Sequence, residues 1–290
     1  MKRLALVLVA GLFLITCQQH SQKSLYREIK KEFCGIDVSQ NYDAYLNKVI
    51  EVQAKYPIAE RKKITFPVRV NFVGLDDSTK AFNLQRLKFA FENLNLAFKD
   101  ANIEFKIIES ILFIKDETSV DDLYNSLDAE KKFTKRFYKN RVINLFVLKN
   151  YKQVVGFSHY PILNINQIII AQDKLTDPSL VHEFGHFFGL LHTFDNSPSN
   201  AELVNIESNC QLLGDKICDT PTDPYGASFI EESCMLYGEY KDEQGNEFCP
   251  DLSNYMSYYG RCRNRFTPEQ LDRIYFIASK IKVAQLRMKI

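Results

Sequence analysis

Apolar residues recur with two periods along the chain from residue 64 onward, and these periods predict its strands and helices. The segment Ile64–Val73 alternates in polarity and is rich in β-branched residues, which predicts a strand. Its Pro67 places the early part of that strand at an edge or at its start. Residues 79–101 carry apolar side chains at helical spacing, which predicts a long amphipathic helix whose phenylalanines pack in the core. Short apolar runs predict further strands at 103–108, 142–148 and 167–171, and residues 120–138 are predicted to be helical.

The pattern changes in the second half of the chain. Asp177 and Pro178 predict the start of a helix, because Asp caps helix N-termini and Pro is favoured at the first helical position. Beyond residue 192, Gly, Asn, Asp and Pro become frequent and the periodic stretches end. A last helix is predicted from Pro268 to about Met288, with Thr267 as its cap. The chain is therefore predicted to be an α+β protein with an ordered upper half and an irregular lower half.

The composition is that of a globular protein. Of the 290 residues, 46% are hydrophobic and 25% are charged, which is ample material for a core. A formal net charge of +1 gives no indication of a nucleic-acid-binding surface. The length fits one main domain at residues 64–290, preceded by a leader at 1–17 and a pro-segment or linker at 18–63.

The N-terminus has the pattern of a secretory signal. Three residues with two basic side chains precede the apolar run 4–15, which is too short to cross a bilayer as a stable helix. Residues 14–17 resemble a bacterial lipobox, in which Cys17 would be lipidated, although Thr16 stands where Gly, Ala or Ser is commoner. Acylation of Cys17 would anchor the protein to the outer membrane or cell surface. The alternative is simple secretion.

Five of the seven cysteines lie in the irregular lower half, and a secreted chain would use such a cluster for disulfides. The disulfide candidates are Cys210, Cys218, Cys234, Cys249 and Cys262. A second metal site is the alternative, but the chain has no Cys-x-x-Cys pair to support it. The connectivity cannot be read from the sequence.

Residues 182–192 carry the pattern H-E-x-x-H-x-x-G-x-x-H. On a helix, His182 and His186 lie one turn apart on the same face, so both can bind one zinc ion. Glu183 could reach a zinc-bound water without ligating the metal. Gly189 would end the helix in a left-handed turn, after which His192 can return as third ligand. Three protein ligands leave the fourth coordination position for water, which is the arrangement of a catalytic zinc site.

This stretch resembles the zinc site of the metzincin metallopeptidases. The resemblance implies a metzincin-like zincin fold: a mixed twisted sheet with a long backing helix and an active-site helix, above an irregular, disulfide-tied lower subdomain that ends in a helix. In metzincins a methionine in a tight turn lies beneath the zinc ligands, and Met256 within Asn-Tyr-Met-Ser-Tyr matches it. Tyr258 matches a position whose hydroxyl can stabilise the oxyanion of the reaction. The alternative for Tyr258 is a structural role.

Further segments are similar to segments of the pappalysin family. With the lipobox-like N-terminus, the chain resembles a bacterial pappalysin-like lipoprotein. Residues 214–221 resemble the family's G-D-x-x-x-D-T-P segment, and residues 261–270 resemble its C-x-x-x-F-T-x-x-Q ending. Residues 154–161 resemble the edge strand above the cleft, which would bind an extended peptide substrate. His159 within them is interpreted as a rim or surface residue. The resemblance also implies calcium ligation by Asp215, Asp219 and Thr220, with Asx-type turns as the alternative.

Pappalysin-like precursors carry a Cys-Gly pair before the catalytic domain, and residues 32–35, with Cys34 in third place, resemble it. The resemblance implies a zymogen in which the Cys34 thiolate occupies the open zinc position until the segment is cut away. The alternative is a disulfide between Cys34 and the odd cysteine downstream.

These features together predict a secreted or surface-anchored zinc metalloendopeptidase with Glu183 as general base and a protein or peptide as substrate. A first alternative is a catalytically silent, zinc-containing surface binding module. Glu183 argues against it, because a structural zinc site needs no base. A second alternative is a zinc amidase acting on cell-wall peptides, and the strand above the cleft favours extended polypeptide instead.

Overall fold

The computed structural model describes residues 33–34, 40–58, 60–74, 80–108, 111–195, 210–224, 227, 229–242 and 245–288. The predicted leader, its lipidation site Cys17 and nearly all of the predicted pro-segment before residue 40 lie outside these residues. Among the described helices, none combines the length and the apolar character needed to cross a bilayer.

Seven strands form one mixed sheet, and they are β1 (Phe33–Cys34), β2 (Ile64–Val73), β3 (Ile103–Ile107), β4 (Leu112–Ile114), β5 (Ile143–Leu148), β6 (Val154–Ser158) and β7 (Gln167–Ala171). Their spatial order is β1-β6-β7-β5-β2-β3, and β4 also pairs with β2. All pairs are parallel except β6 with β7. Every residue of β5 and β7 is buried, as expected for central parallel strands covered on both faces. The predicted α+β class with a mixed sheet is confirmed.

The helices are α1 (Gln40–Lys55), α2 (Lys80–Ala97), α3 (Val120–Tyr124), α4 (Leu127–Lys135), α5 (Pro178–Phe187), α6 (Pro268–Ile277) and α7 (Val283–Gln285). A π-helical turn, Ala278–Lys282, joins α6 to α7. The predicted cap of α6 is confirmed. The hydroxyl of Thr267 accepts from the amide of Gln270 at 3.3 Å, and the Gln270 side chain accepts from the amide of Thr267 at 2.9 Å.

The helical prediction for residues 120–138 is confirmed over 120–124 and 127–135. The segment forms two short helices, because Ser126 leaves the helical conformation and its hydroxyl caps α4 through the amide of Ala129 at 3.2 Å. Ser119 caps α3 in a reciprocal bond with Asp122. Two serine caps in one charged stretch thus outweigh its continuous helical propensity.

The main core lies between the sheet and the helices α1, α2, α5 and α6, and phenylalanine rings fill its centre. The ring of Phe98 lies 5.1 Å from that of Phe105 and 5.2 Å from that of Phe266. Phe184 of α5 packs edge-on against Phe105 at 4.7 Å. The helix that carries the H-E-x-x-H motif is therefore packed directly into the core.

The lower region, residues 190–267, has little regular structure where it is described. It contains one two-stranded sheet, β8 (Phe229–Ile230) with β9 (Met235–Leu236). Two disulfides, Cys210–Cys218 and Cys234–Cys262, connect its turns. Cys249 lies in neither of these two bonds. The predicted irregular, disulfide-tied lower half is confirmed.

Candidate zinc centre and active site

Helix α5 presents the motif, and its two ends have the predicted chemistry. The carboxylate of Asp177 accepts from the backbone amide of Ser179 at 2.9 Å, and Pro178 occupies the first helical position. At the other end Gly189 has a φ of +85°, a conformation that side-chain-bearing residues rarely adopt. The amide of Gly189 donates to the carbonyl of His186 at 2.8 Å. This turn reverses the chain and brings His192 back toward α5.

Three buried imidazoles converge at this turn. The Nε2 atom of His186 lies 3.0 Å from Nε2 of His182 and 3.1 Å from Nε2 of His192. Within the described part of the chain, these three residues form the one group of at least three His, Cys, Asp or Glu side chains whose ligand atoms come within 4.8 Å of one another. All three side chains are at most 4% exposed.

The outer nitrogens of the same rings determine their tautomers. Nδ1 of His182 faces the carbonyl of Tyr255 at 2.7 Å, and Nδ1 of His186 faces the carbonyl of Leu190 at 2.8 Å. Nδ1 of His192 faces a carboxylate oxygen of Asp195 at 3.1 Å. Because each partner can only accept, we assign the proton of each neutral ring to Nδ1. The three Nε2 lone pairs then point toward one another. These electron-rich nitrogens repel one another unless a cation lies between them.

Zinc fits this donor set. A zinc ion about 2.1 Å from each nitrogen in tetrahedral geometry would set the nitrogens roughly 3.4 Å apart, a few tenths of an ångström wider than the observed 3.0 and 3.1 Å. Burial, together with the neighbouring imidazoles, holds the pKa of His182 and His186 well below its ordinary value. Neutral imidazole is the form that ligates metal. Each ring also has the outer acceptor that is typical of metal-bound histidine.

Glu183 lies on α5 beside the first ligand and is fully buried. Its backbone carbonyl accepts from the hydroxyl of Ser158, at the end of strand β6, at 2.8 Å. A methyl group placed on Gly156 of the same strand would lie only 3.2 Å from the Glu183 carboxylate. The carboxylate therefore lies at the interface between the zinc helix and the strand predicted to bind substrate.

Met256, the predicted Met-turn residue, packs against helix α5 at Gly185, which lies between His182 and His186 in the sequence. It is fully buried, and its sulfur lies so close to α5 that a Cβ on Gly185 would be 2.4 Å away. The turn is held by the side-chain oxygen of Asn254, which accepts from the amide of Met256 at 2.9 Å. The carbonyl of Met256 accepts from the amide of Thr193 at 3.2 Å. The turn is thus bonded to the residue that follows the third ligand.

Tyr258 stands beside the ligand rings. Its ring centroid lies 4.9 Å from that of His192 and 5.8 Å from that of His182. Phe194 packs edge-on against it at 4.7 Å. The predicted role of Tyr258 near the reacting carbonyl is compatible with this position.

The residues implied in calcium binding have other partners in the described structure. A carboxylate oxygen of Asp215 accepts from the amide of Ile217 at 3.0 Å and from the hydroxyl of Thr220 at 2.9 Å. Asp219 accepts from the hydroxyl of Thr267 at 2.6 Å and from the amide of Glu269 at 2.9 Å, at the start of α6. The bond from the amide of Ile217 to Asp215 is of the Asx-turn type given as the alternative, whereas Asp219 is bonded to the start of α6, an arrangement that the sequence did not predict.

His159 is placed outside the metal centre, as interpreted from the sequence. Its Nε2 lies 2.6 Å from the carboxylate of Glu130, which is itself 2% exposed and also contacts the amide of Gln167. This cluster ties α4 to the end of strand β6.

Sequence reasoning missed Asp195, the partner of the third ligand. Its second carboxylate oxygen also accepts from the backbone amide of His192 at 2.8 Å. A signal was present, because an acidic residue three positions after a ligand can turn back onto it. Sequence reasoning also missed Tyr42, whose hydroxyl donates to the carbonyl of Gly189 at 2.8 Å across 147 positions of sequence. No local pattern could have indicated that contact.

Comparison with known proteins connects this geometry to a family. Residues 137–278, just under half of the chain, match the family model described as Peptidase M43, pregnancy-associated plasma protein-A. The matched segment contains the histidine cluster, Glu183 and the Met256 turn.

The chain is also similar to fungal proteins. An extracellular metalloprotease from Arthroderma gypseum is 30% identical over 135 residues, which cover 46% of this chain and 41% of that protein. An extracellular metalloprotease from Neurospora crassa is 27% identical over 174 residues, covering 52% of each chain. The chain thus spans about half the length of the curated relatives it matches. These relatives are fungal and extracellular by name, and none of them supports the predicted likeness to a bacterial lipoprotein.

Among solved structures, the chain is similar to metalloproteinase-II from Bacteroides fragilis. The identity is 13%, the match covers 51% of each chain, and the TM-score is 0.33. At that score the likeness carries no argument about the fold.

Proposed function

We propose that the chain is a secreted, zinc-dependent metalloendopeptidase of the peptidase M43 (pappalysin) family that acts on proteins, because residues 137–278 match the model of that family and contain the histidine cluster. One observation carries the proposal. Three imidazoles that keep their protons on Nδ1 direct their Nε2 atoms to one point, and Glu183, adjacent to His182 in α5, is fully buried. A purely structural zinc site would be closed by a fourth ligand and would need no acid beside it.

The chemistry follows from these residues. When bound by the three histidines, zinc would lower the pKa of a coordinated water to about 7 and polarise the scissile carbonyl. Glu183 takes a proton from the attacking water and delivers it to the leaving amine. The hydroxyl of Tyr258 stabilises the negative charge that develops on the carbonyl oxygen. Met256 holds helix α5 and the third ligand, His192, in their positions relative to each other.

We propose that substrate binds as an extended strand along β6. Support comes from the contact that β6 makes with β1, whose two residues pair with it in parallel, Phe33 opposite Val154 and Cys34 opposite Gly156. A strand can therefore be added at this edge, next to Glu183. Backbone pairing of this kind makes few demands on side chains, so the substrate is expected to be an unfolded or extended segment of protein.

The same pairing supports the proposed latency of the precursor. Residues 33–34 occupy the edge that substrate would need, so their removal would open it. Replacing Cys34 with Ala is expected to give early activation if its thiol also blocks the zinc centre. The comparison is the activity of unprocessed Cys34→Ala against unprocessed parent. Equal latency in both, with Cys34 found in a disulfide by peptide mapping, would contradict the thiolate switch.

The place of action is proposed to be outside the cell, as the names of the relatives suggest. Lipid anchoring at Cys17 stays a prediction of the sequence, tested by whether Cys17→Ser moves the protein from the membrane fraction to the medium. Calcium binding by Asp215, Asp219 and Thr220 likewise stays a prediction. It is tested by whether added calcium raises the melting temperature of the protein and whether Asp215→Asn removes that increase.

The main proposal is tested by removing and restoring the metal. Processed protein treated with a chelator is expected to lose cleavage of casein, and one equivalent of zinc is expected to restore it. Calcium added instead of zinc should not restore cleavage. Casein cleavage that survives complete loss of zinc would contradict the proposal, as would a zinc-loaded, processed protein that cleaves no polypeptide.

A further inference from the structure

Helix α1 lies within the segment 18–63 that the sequence assigns to the pro-segment, yet it packs into the main core. Tyr42, Leu46 and Val49 are buried in the same cluster as the sheet and α5, with Tyr42 and Leu46 only 1% exposed. A segment that is cut away on activation would have to withdraw these side chains and leave a cavity behind. Their burial suggests that α1 stays.

Polar contacts also join α1 to the lower region and to α6. The ammonium group of Lys216, with a side chain 2% exposed, lies 2.7 Å from a carboxylate oxygen of Asp43 and 2.6 Å from the side-chain oxygen of Asn47. Further along, the buried guanidinium of Arg273 on α6 donates to the side chain of Gln53 at 2.8 Å. Loss of α1 would leave two buried cations without these acceptors, which is a costly arrangement.

The contact closest to the zinc centre is made by Tyr42. Its hydroxyl donates to the carbonyl of Gly189 at 2.8 Å, in the turn that separates the second histidine from the third. The next carbonyl along, that of Leu190, accepts from Nδ1 of His186. A bond that fixes the peptide after Gly189 therefore also fixes the acceptor that orients His186.

The ring of Tyr42 adds a second contact with the same site. It stacks on the ring of Tyr160 with centroids 3.7 Å apart and planes 7° from parallel. Tyr160 in turn meets the ring of His186 edge-on at 5.9 Å. Tyr42 thus touches both the turn after α5 and Tyr160, two residues beyond the end of strand β6.

We infer that α1 is a permanent part of the catalytic domain and that Tyr42 is a positioning residue for the zinc ligands, so that processing of the precursor falls before Tyr42. This inference rests on the proposed function for the identity of the metal. It moves the N-terminal boundary of the domain from residue 64 to a point ahead of α1. It also assigns to α1 a role that no pattern in the sequence indicates.

The hydroxyl of Tyr42 can be tested against a matched control on the same helix. Tyr42→Phe keeps the stacked ring and removes the bond to Gly189. Tyr45→Phe removes a buried hydroxyl that has no hydrogen-bond partner in the described structure. In the full chain, Tyr42→Phe is expected to lose zinc to a competing chelator about tenfold more readily than the parent. The reason is that the turn carrying the acceptor of His186 loses its bond to the Tyr42 hydroxyl. Tyr45→Phe is expected to match the parent.

A spectroscopic readout separates positioning from general stability. Cobalt(II) bound in place of zinc is expected to show a changed visible absorption spectrum in Tyr42→Phe and an unchanged one in Tyr45→Phe. Identical spectra and identical chelator competition in both variants and the parent would overturn the positioning role. A parent protein that binds neither zinc nor cobalt at this site would instead overturn the proposed function, so the two failures are distinguishable.

The boundary is tested by limited proteolysis of the full chain, followed by N-terminal sequencing of the smallest product that keeps its zinc. This product is expected to begin before Tyr42. A zinc-retaining product that begins after Lys55 would show that α1 is dispensable and would overturn the inference.

Discussion

The upper region, residues 64–187, and the lower region, residues 190–267, are stabilised in different ways. In the upper region strands pair backbone to backbone, and both central strands are buried along their whole length. In the lower region short acidic turns satisfy the backbone locally, as where Asp215, Asp242 and Asp251 each accept from an amide two to four residues ahead. Two disulfides then hold these turns together.

Both regions supply residues to the zinc centre, and the two sets of residues are positioned in different ways. The upper region supplies His182, His186 and Glu183 from one regular helix, so their spacing follows from helix geometry alone. The lower region supplies His192 and the turn of Met256, whose positions depend on bonds that hold an irregular chain. Changes in the upper region should therefore remove the chemistry, and changes in the lower region should loosen the geometry.

The largest effect is expected from Glu183, the proposed general base, in the upper region. Glu183→Gln should reduce turnover of a peptide substrate about 10³- to 10⁴-fold, because no group is left to accept the proton of the attacking water. Zinc content, measured on the same preparation, should equal that of the parent, since Glu183 is not a ligand. Turnover near the parent value with zinc retained would assign the base elsewhere.

The next effect is expected from a disulfide of the lower region. Replacing both Cys234 and Cys262 with Ala opens a bond that spans 28 residues and should lower the free energy of unfolding by about 3–4 kcal/mol. The control is the pair Cys210 and Cys218, which spans only 8 residues and should cost about 2–3 kcal/mol. Chemical denaturation measures both. Equal or reversed losses would mean that loop length does not govern the stability of this region.

A pH effect is expected from Asp223, which accepts from the hydroxyl of Thr193, the residue after His192, and from that of Tyr259, each at 2.5 Å. Burial raises the pKa of Asp223 from 3.8 to about 6. The folded protein therefore binds this proton more tightly than the unfolded chain. The stability that Asp223 contributes is present below pH 4 and is lost as the pH rises through 6, by at most about 3 kcal/mol.

The measurement is the difference in free energy of unfolding between the parent and Asp223→Asn at each pH from 4 to 7. Histidine protonation is common to both proteins and cancels in this difference. The difference should fall as the pH rises. A constant difference would show that Asp223 titrates normally in the folded protein.

The smallest effect is expected where the two regions touch. Gly185→Ala places a methyl group against the sulfur of Met256, 2.4 Å away before relaxation, and should destabilise the protein by about 1–2 kcal/mol. Adding Met256→Ala should make the Gly185→Ala change less costly than it is alone, because the obstacle is gone. Strictly additive losses in this double-mutant cycle would deny the contact.

The structural features that depend on residues close together in the chain could be predicted from the sequence. The strand over 64–73 and the cap at Asp177 follow from short patterns, and so does the spacing of His182 and His186. The Met256 turn followed from a family resemblance and not from any local rule. Each of these features repeats a geometry that many chains share.

The remaining features depend on partners far apart in sequence or on competition between nearly equal local choices. The division of the helical segment 120–138 into α3 and α4 depends on the caps at Ser119 and Ser126, and periodicity does not register such caps. The contacts of α1 with Gly189 and Lys216 each join segments more than a hundred residues apart. Hydrogen bonds of this kind produce no periodic pattern in the amino-acid sequence, because a single polar atom at each end is enough to form them.

The three outer acceptors of the imidazoles differ in kind. Two are main-chain oxygens, at Tyr255 and Leu190, and no amino-acid replacement deletes a main-chain oxygen. The third belongs to the side chain of Asp195. A single-codon change at Asp195 can thus alter the affinity for the ion without changing any of the three ligands. Of the three outer acceptors, Asp195 is therefore the one that evolution or protein engineering can replace.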